Sequence, residues 1–461
     1  TTFRSMYQGL YAFMSATKER RDLLLSQREP QFDVALDKQI AEAADDFTRI
    51  ALKAKAAKDY FLLVGPPGTG KTSCALKKMV ETFYKEEGAQ ILLLSYTNRA
   101  VDEICKALSS IRPEVDFIRV GSELSCDENY RDHLIENELA TCMRRTEVCE
   151  RINRCRILVG TVASISGKPE LFRLKHFDVA IVDEATQILE PQLLGILCAK
   201  GENGKEGVGK FILIGDHKQL PAVVLQNSEQ SEVYDEALSA VGLKNLKDSL
   251  FERLYRTARQ HTDAHRTYDM LCRQGRMHPE VALFANQAFY EGRLLPVGLP
   301  HQLEDSGNIN RLSFYPSRPE PMGSSAKTNH SEAKIAARLA ATVYKEHSEA
   351  FDASRTLGII TPYRSQIALI KKEIEVLGIS ELNQILIDTV ERFQGSERDV
   401  IIYSFCVNYP YQLKFLSNLT EEDGILIDRK LNVALTRARK QMLLTGVPTL
   451  LERNPLYKSL L

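Results

Sequence analysis

The sequence predicts an α/β protein of two tandem domains, each built on a parallel sheet. Apolar runs alternate with amphipathic helical stretches, which is the pattern of strands covered by helices on both faces. The length of 461 residues fits two or three domains. The first set of runs lies at 60–64, 90–95, 156–159, 179–182 and 211–214, and the second at 268–273, 357–361, 386–389, 400–405 and 441–445. We therefore expect a first domain at 59–260 and a second at 261–461.

The segment 1–58 is predicted to be helical and stalk-like, since helical periodicity runs over 18–27 and 32–57 with a break at the intervening proline. A polar insertion at about 112–154 of the first domain is also predicted to be helical. The Gly- and Lys-rich stretch 200–210 and the Pro-rich stretch 296–329 are predicted to be irregular loops.

Composition excludes several classes of protein. Lys and Arg total 60 against 61 for Asp and Glu, so the net charge is −1 and any nucleic-acid site must be local. A hydrophobic fraction of 44% excludes a disordered chain. No membrane span and no leader are recognisable, which predicts an intracellular protein of the cytoplasm or nucleus without a membrane partner. Because the sequence starts at Thr1 instead of Met, we expect that further domains could precede it.

The strongest motif is Gly65-Pro-Pro-Gly-Thr-Gly-Lys71-Thr72, which follows an apolar run and opens a helix as a phosphate-binding P-loop does. Its backbone N–H groups would surround the phosphates, Lys71 would reach the β and γ oxygens, and Thr72 would bind magnesium. An incidental glycine-rich turn is the alternative, which this context disfavours. The predicted nucleotide-binding residues are Gly65, Pro66, Pro67, Gly68, Thr69, Gly70, Lys71, Thr72 and Ser73.

Two further strand ends narrow the chemistry to an ATPase. Asp183 and Glu184 end an apolar run, where the first would join Thr72 in holding magnesium and the second would polarise the attacking water. A solvated acidic strand end is the alternative. Gln219 follows the run at 211–214 and could sense the γ-phosphate, a weak pattern taken alone.

Nine cysteines without any CxxC pair indicate reduced thiols. Four of them fall within one 30-residue stretch, and four thiolates could hold zinc or an iron–sulfur cluster. Their gaps of 16, 7 and 6 lack the short pair typical of such sites, so we expect ordinary cysteines and no metal beyond that of the nucleotide. The four are Cys126, Cys142, Cys149 and Cys155.

Eight motifs in one order resemble the motif set of superfamily 1 helicases, in the branch that contains the nonsense-mediated-decay RNA helicase and the Okazaki-fragment nuclease-helicase. They are GPPGTGKT at 65–72, YTNRAVDEI at 96–104, VDEATQ at 182–187, GDHKQLPA at 215–222, GRMHP at 275–279, GIITPY at 358–363, FQGSERD at 393–399 and LNVALTRAR at 431–439. The stretch 249–254 (SLFERL) also resembles that family's domain junction. The resemblance covers about 60–446 and implies two RecA-like P-loop domains with ATP and Mg²⁺ in the cleft between them.

The resemblance also implies roles for single residues. Arg276 and Arg437 match the two arginines that reach the γ-phosphate, and Glu397 matches the residue that bonds the ribose. Gln394 and Gly395 belong to the element that couples the nucleotide and nucleic-acid sites. The positions that touch the strand in relatives correspond to Thr97, Asn98, Thr161, Thr361 to Tyr363, and Thr389. Arginines of the insertion could widen this track or form a solvated helix face: Arg144, Arg145, Arg151, Arg154 and Arg156.

The sequence departs from the family in three places. Gly275 stands where relatives often have a tyrosine that stacks on adenine. Gln39 is the best candidate for the adenine-reading glutamine, although it lies further from Gly65 than the family spacing. The region before Tyr60 is too short and too helical for the β-barrel of relatives.

Together these observations predict a monomeric, ATP-dependent helicase or translocase that moves on single strands, 5′ to 3′ by the family's precedent. The stretch RQGRMH at 273–278 resembles the nuclease-helicase side of the branch and favours DNA over RNA. The alternatives are a nucleic-acid-stimulated ATPase switch, or an RNA helicase, acting as a module of a larger protein with a nuclease or other domain. A P-loop kinase would have no use for the second domain's motifs.

Overall fold

The computed structural model describes residues 2–224, 226, 228–261, 263–305, 307, 309–321, 325–422 and 424–461. The chain divides into two units. The first contains Thr1–Pro66, Gly70–His217 and Pro221–Leu271, and the second contains Pro67–Thr69, Lys218–Leu220 and Cys272–Leu461.

The first unit is built on a seven-stranded sheet in which every paired strand is parallel. Its spatial order is β3-β4-β2-β5-β6-β1-β7. The strands are β1 Tyr60–Val64, β2 Ile91–Ser95, β3 Phe117–Val120, β4 Ile157–Thr161, β5 Phe177–Val182, β6 Val208–Gly215 and β7 Tyr268–Met270. The central strands are apolar on both faces because a separate hydrophobic cluster packs against each face.

Helices connect these strands and cover the sheet. They are α1 Thr2–Met14, α2 Lys18–Leu24, α3 Asp37–Ala41, α4 Asp46–Ala56, α5 Lys77–Tyr84, α6 Asn98–Ser109, α7 Ile135–Glu138, α8 Arg145–Arg154, α9 Val162–Ser166, α10 Glu170–Leu174, α11 Glu190–Leu197, α12 Ser228–Ser231, α13 Glu236–Ala240, α14 Leu250–Ala258 and α15 Ala264–Thr267. No helix among the described ranges is long and apolar enough to cross a membrane.

Two strands of this sheet differ from the sequence prediction. The run at 268–273 was expected in the second set, but β7 pairs in parallel with β1 of the first sheet. The insertion at 112–154 contains α7 and α8 and, in addition, β3, which pairs with β4. Arg119 interrupts the apolar pattern of β3, and its buried guanidinium pairs with Asp102. A strand that carries a buried charge is not recognisable from hydrophobic periodicity.

The N-terminal segment is helical, with breaks that local caps explain. Asp45 ends the helical stretch predicted at 32–57 and starts a new helix, since its carboxylate accepts a hydrogen bond from the Thr48 N–H at 2.9 Å at the start of α4. The helix α1, which periodicity did not predict, packs on α11 at Gly9, where any side chain would collide with the Pro191 carbonyl.

The SLFERL stretch forms the start of α14 and ties three elements together. Ser249 and Glu252 form a capping box, and Leu250, Phe251 and Leu254 enter the core. The Arg253 guanidinium lies buried and contacts both oxygens of the Glu190 carboxylate, at 2.8 and 2.6 Å. It also donates to the Leu24 carbonyl at 2.7 Å.

The second unit is built on a five-stranded parallel sheet in the order β10-β16-β13-β11-β12. Two further pairs, β8 with β9 and the antiparallel hairpin β14–β15, lie outside this sheet. The strands are β8 Arg273–Gln274, β9 Leu295–Pro296, β10 Leu312–Pro316, β11 Leu357–Ile360, β12 Leu386–Asp388, β13 Arg398–Ser404, β14 Leu419–Glu422, β15 Ile425–Asp428 and β16 Ala438–Gly446.

The helices of the second unit are α16 Pro279–Tyr290, α17 Pro300–Leu303, α18 His330–Glu346, α19 Arg364–Glu375, α20 Val390–Phe393, α21 Leu413–Leu416, α22 Arg429–Leu435, α23 Pro448–Leu451 and α24 Pro455–Leu460. In the second unit, α18 and α19 contribute to an apolar cluster that includes residues of β11 and β13. The predicted loop at 296–329 contains β10 and α17, and its residues 306, 308 and 322–324 lie outside the described ranges.

We predict that Arg253→Met lowers the free energy of unfolding by about 3–5 kcal/mol, because it leaves the Glu190 carboxylate without its cation in a mostly buried site. Urea denaturation followed by circular dichroism measures the effect. The exposed Arg154 of α8 provides the control, and Arg154→Met is expected to change the value by less than about 0.5 kcal/mol. Equal effects of the two substitutions would contradict a supporting role for the Arg253–Glu190 pair.

Candidate nucleotide and nucleic-acid sites

The P-loop leaves the carboxyl end of β1 and enters a helix at Lys71. Gly65 donates its N–H to the Gly215 carbonyl at 2.9 Å, which ties the loop to the end of β6. A side chain at Gly65 is excluded because the Lys71 Cβ lies 2.8 Å from the position that a Cβ would take. Gly70 has a φ of 74°, and the residues Lys71–Leu76 form a wide π-type turn before α5.

The side chains of the P-loop meet the acidic end of β5. The Lys71 Nζ lies 2.9 Å from the Glu184 Oε1, and the Thr72 hydroxyl hydrogen-bonds the Asp183 carboxylate. Glu184 itself has a left-handed backbone with a φ of 54°, and its N–H donates to the Asp183 Oδ1 at 2.9 Å. The structure therefore brings together four of the residues that the motifs nominated in this unit.

Burial and charge set the protonation of this cluster. Burial opposes protonation of Lys71, but Glu184 and Asp183 raise its pKa above the usual value, so the ammonium stays charged. Burial and the neighbouring Glu184 charge raise the pKa of Asp183 to about 6. The two carboxylates thus repel each other in a desolvated pocket, and a cation between them and phosphate would relieve that repulsion.

The side chains at this site are of the types that bind magnesium and a nucleoside triphosphate. Mg²⁺ prefers hard oxygen ligands and is commonly held by one or two protein groups plus phosphate oxygens. Thr72 and Asp183 supply a hydroxyl and a carboxylate in contact with each other. Lys71 would bind the β and γ phosphates, and its partner Glu184 would be released toward the γ-phosphate. When bound, magnesium would neutralise phosphate charge.

The two candidate phosphate-binding arginines of the second unit, Arg276 and Arg437, lie at the amino end of its sheet, next to Glu397. Arg276 contacts the Glu397 carboxylate at 2.6 Å, and Arg437 directly precedes β16. Burial would raise the pKa of Glu397, but the guanidinium of Arg276, with smaller contributions from Arg439 and Arg437, holds it below its usual range. Two candidate phosphate-binding arginines and the candidate ribose-binding carboxylate are thus neighbours.

Gln219, in the Lys218–Leu220 segment of the second unit, is buried and accepts a hydrogen bond from the Arg437 guanidinium at 3.3 Å. Pro67–Thr69 of the P-loop belong to the same unit, where the Gly275 N–H donates to the Gly68 carbonyl at 2.8 Å. Gly275, which stands where relatives often have a tyrosine, thus contacts the P-loop through its backbone.

The nucleic-acid candidates of the first unit lie at the same carboxyl edge as its nucleotide residues. Thr97 follows β2, which pairs with β5 on the side away from β1. Thr161 ends β4, the next strand beyond β2. Both hydroxyls accept helix N-terminal N–H groups, from Ala100 at 3.2 Å and Ser164 at 3.0 Å. Asn98 begins α6 beside them. Phosphate contacts here would therefore come from helix N-termini and backbone N–H groups.

In the second unit the corresponding candidates lie at the opposite edge from the arginines. Thr361 and Thr389 follow the carboxyl ends of β11 and β12, and the Thr361 N–H donates to the Asp388 carbonyl at 3.2 Å. Thr361 is fully buried, whereas Tyr363, two residues later, is half-buried and is the candidate left to face a strand. One sheet thus carries the phosphate-binding candidates at one edge and the strand-binding candidates at the other.

The sequence offers Gln39 as the candidate that would read the adenine base. Gln39 lies exposed on the short helix α3. Phe47, in the first turn of α4, lies close to the P-loop, with its ring 3.6 Å from where a Cβ of Gly70 would stand, and no sequence motif singled it out. Its place in the helix directly before β1 is the only signal in the sequence, and it is a weak one.

The insertion offers a nucleic-acid strand fewer unpaired positive charges than its number of arginines suggests. Arg151 is paired with Asp116 and Glu138, and Arg156 donates to backbone carbonyls such as that of Ala89 at 3.1 Å. Arg144, Arg145 and Arg154 are exposed. Of the four cysteines, Cys126 and Cys155 are buried, Cys142 and Cys149 are half-buried, and all are free thiols. Over the ranges that the structure describes, no group of three or more metal-ligating side chains is found.

Comparison with known proteins adds the family. Two family models described as AAA domain match the chain, one over 41–148 and 137–227 and the other over 246–449. The chain is similar to "DNA replication ATP-dependent helicase/nuclease DNA2" of Bos taurus. The two are 29% identical over an alignment 499 residues long, which covers 96% of this chain and 42% of that one. It is similar to "DNA replication ATP-dependent helicase/nuclease JHS1" of Arabidopsis thaliana, 28% identical over 90% of this chain and 29% of that one.

A third relative is "DNA polymerase alpha-associated DNA helicase A" of Saccharomyces cerevisiae, 26% identical over 89% of this chain and 65% of that one. The solved "Complex structure of Arterivirus nonstructural protein 10 (helicase) with DNA" is 16% identical, with a TM-score of 0.41 over 87% of this chain and 62% of that one. The chain spans about two fifths of the length of the DNA2 relatives. Two tandem parallel-sheet units, a complete ordered motif set and these relatives show that the chain belongs to the superfamily 1 helicases, in the branch of the Okazaki-fragment nuclease-helicase and the nonsense-mediated-decay RNA helicase.

Proposed function

We propose that the chain is an ATP-dependent motor that translocates 5′ to 3′ on single-stranded DNA and separates duplexes. The observation that carries the proposal is the contact set of Lys71, Thr72, Asp183 and Glu184 at the carboxyl ends of β1 and β5. These groups have the types and the proximity that phosphoryl transfer to water requires.

Hydrolysis would begin with an exchange of partners at Lys71. Its ammonium contacts Glu184 in the structure, and phosphate oxygens would compete for it when nucleotide binds. Glu184, released from Lys71, would then orient and polarise the attacking water, while Gln187 remains hydrogen-bonded to its other oxygen at 3.0 Å. Arg276, Arg437 and Gln219 are proposed to bind the γ-phosphate, so that their engagement depends on whether it is present.

DNA as the substrate is supported by the names of the relatives, which are a DNA replication helicase/nuclease and a DNA helicase. The joint name helicase/nuclease also supports the proposal that this motor works beside a nuclease domain in a larger protein. Contacts from helix N-termini to phosphates do not distinguish DNA from RNA, since only a group that reads the 2′-hydroxyl would do so.

Glu184→Gln is expected to keep nucleotide affinity and to lower the ATP hydrolysis rate by about 10²–10⁴-fold, because the amide cannot take a proton from water. A single-turnover displacement assay on 5′- and 3′-tailed duplexes measures the coupled activity. The wild type is expected to displace the 5′-tailed duplex only, and the variant neither. Hydrolysis by the wild type without displacement of either duplex would support an ATPase switch and overturn the helicase proposal.

Competition between strands tests the substrate. We expect single-stranded DNA to stimulate ATP hydrolysis more strongly than RNA of equal length and sequence, and unlabelled RNA to compete poorly. Equal or stronger stimulation by RNA would contradict the preference for DNA and leave the motor assignment intact.

Asp183→Asn is expected to abolish magnesium-dependent hydrolysis and to stabilise the nucleotide-free protein by roughly 1–3 kcal/mol at pH 7. The pKa of Asp183 is raised from 3.8 to about 6 in the folded state, so ionisation costs folding free energy. The difference between variant and wild type should therefore be absent below about pH 4, grow as the pH rises to about 6, and stay constant above it. Urea denaturation across pH 4–8 measures it.

The exposed Asp132 supplies the control, and Asp132→Asn is expected to show no such pH-dependent difference. A destabilised Asp183→Asn variant at pH 7 would contradict the proposed repulsion between Asp183 and Glu184.

A further inference from the structure

Three aromatic side chains, two of them exposed and one half-buried, form a cluster after β13, outside the helicase motifs. The rings of Tyr409 and Tyr411 stack with centroids 5.8 Å apart and planes 13° apart. Phe415 meets Tyr411 edge-on at 6.5 Å. Tyr411 is 54% exposed and Phe415 is 64% exposed. We call these three residues the aromatic platform. Contiguous exposed apolar groups of this size mark interaction sites on soluble proteins.

The buried side-chain amide of Gln412 holds the backbone of the aromatic platform in place. The Gln412 side chain is 2% exposed, and its Oε1 accepts the N–H groups of Asn408 and Tyr409, both at 2.9 Å. Its Nε2 donates to the Ala326 carbonyl at 2.6 Å. Leu416, one turn later, is buried. The backbone that carries the rings is therefore fixed, which lowers the conformational entropy lost when a ligand binds them.

The same amide connects the platform to the proposed nucleic-acid track. Gln412 Nε2 donates to the Tyr363 hydroxyl at 3.1 Å. Tyr363 follows β11, and the platform follows β13, the neighbour of β11, so both lie at the carboxyl edge of one parallel sheet. The platform thus continues the row of candidates that begins at Thr389 and Thr361.

Positively charged side chains flank the aromatic platform and favour a polyanion as its ligand. Arg364 follows Tyr363 and Lys414 lies between Tyr411 and Phe415, and both side chains are exposed. The acidic residues that follow in the sequence, Glu421 and Glu422, lie on β14 of the next hairpin. Aromatic faces with flanking cations are the combination that binds single strands without sequence readout.

We propose that the aromatic platform is a base-stacking site that extends the single-strand track of the second unit beyond Tyr363. Its ligand is single-stranded nucleic acid, held by base faces on Tyr411 and Phe415 and by phosphates near Arg364 and Lys414. The proposal rests on the proposed function, because it lengthens the track of a motor on single strands. It predicts a binding contribution that depends on the presence of bases and not on their sequence.

The test compares Tyr411→Ser/Phe415→Ser with the wild type on two labelled strands of equal length, oligo-dT and the same strand with an abasic tract. Fluorescence anisotropy measures the four dissociation constants. The double variant is expected to bind oligo-dT roughly tenfold more weakly than the wild type, and the two proteins should bind the abasic strand alike. Because both rings are exposed, the thermal unfolding temperature of the variant should match that of the wild type.

The matched control is Tyr234→Ser/Leu238→Ser, which removes two exposed apolar side chains at the same spacing in the first unit. It is expected to bind oligo-dT as the wild type does. Equal affinity of the platform variant and the wild type for oligo-dT would overturn the stacking site and leave the motor proposal untouched. A wild type that binds neither strand would remove the proposed function and this inference together.

Discussion

Parallel strand direction is the constraint on which the chemistry of this protein depends. In the first sheet every carboxyl end lies at one edge, so residues that follow β1, β5 and β6 become neighbours although they are far apart in the chain. That edge brings the P-loop lysine, Lys71, to Glu184 and the Thr72 hydroxyl to Asp183. The order β4-β2-β5-β6-β1 also separates the strand-binding candidates, at β2 and β4, from the phosphate-binding residues at β1.

The strands of the second sheet are also parallel, but its candidate residues lie at both ends of the strands. Arg437 and Glu397 precede β16 and β13, whereas Thr361 and Thr389 follow β11 and β12. Its two sets of candidates therefore occupy opposite edges, connected by strands of three to nine residues. Gln394 and Gly395 lie in the short crossover from the end of β12 to the start of β13, which fits an element that links the two edges.

Buried polar groups define these units as much as their apolar cores do. Arg253 and Glu190 join α14 to α11, and Gln412 joins the loop after β13 to Tyr363. Glu332, at the start of α18, is buried with its pKa raised to about 7 by desolvation, and it accepts hydrogen bonds from Ser404 and Cys406 at the end of β13. Each of these side chains is satisfied by partners distant in sequence, so each specifies one packing arrangement.

Local periodicity and short motifs were enough to predict two parallel-sheet units, five strands of the first sheet and four of the second, and to nominate the residues of the nucleotide site. Lys71, Asp183 and Glu184 could be named from such patterns. The fold alone shows that β7 joins the first sheet, that β3 carries the buried Arg119, and that Phe47 lies close to Gly70. The platform of Tyr409, Tyr411 and Phe415 likewise emerges only from the fold. These features rest on contacts between residues far apart in the chain, which hydrophobic periodicity and motif spacing do not encode.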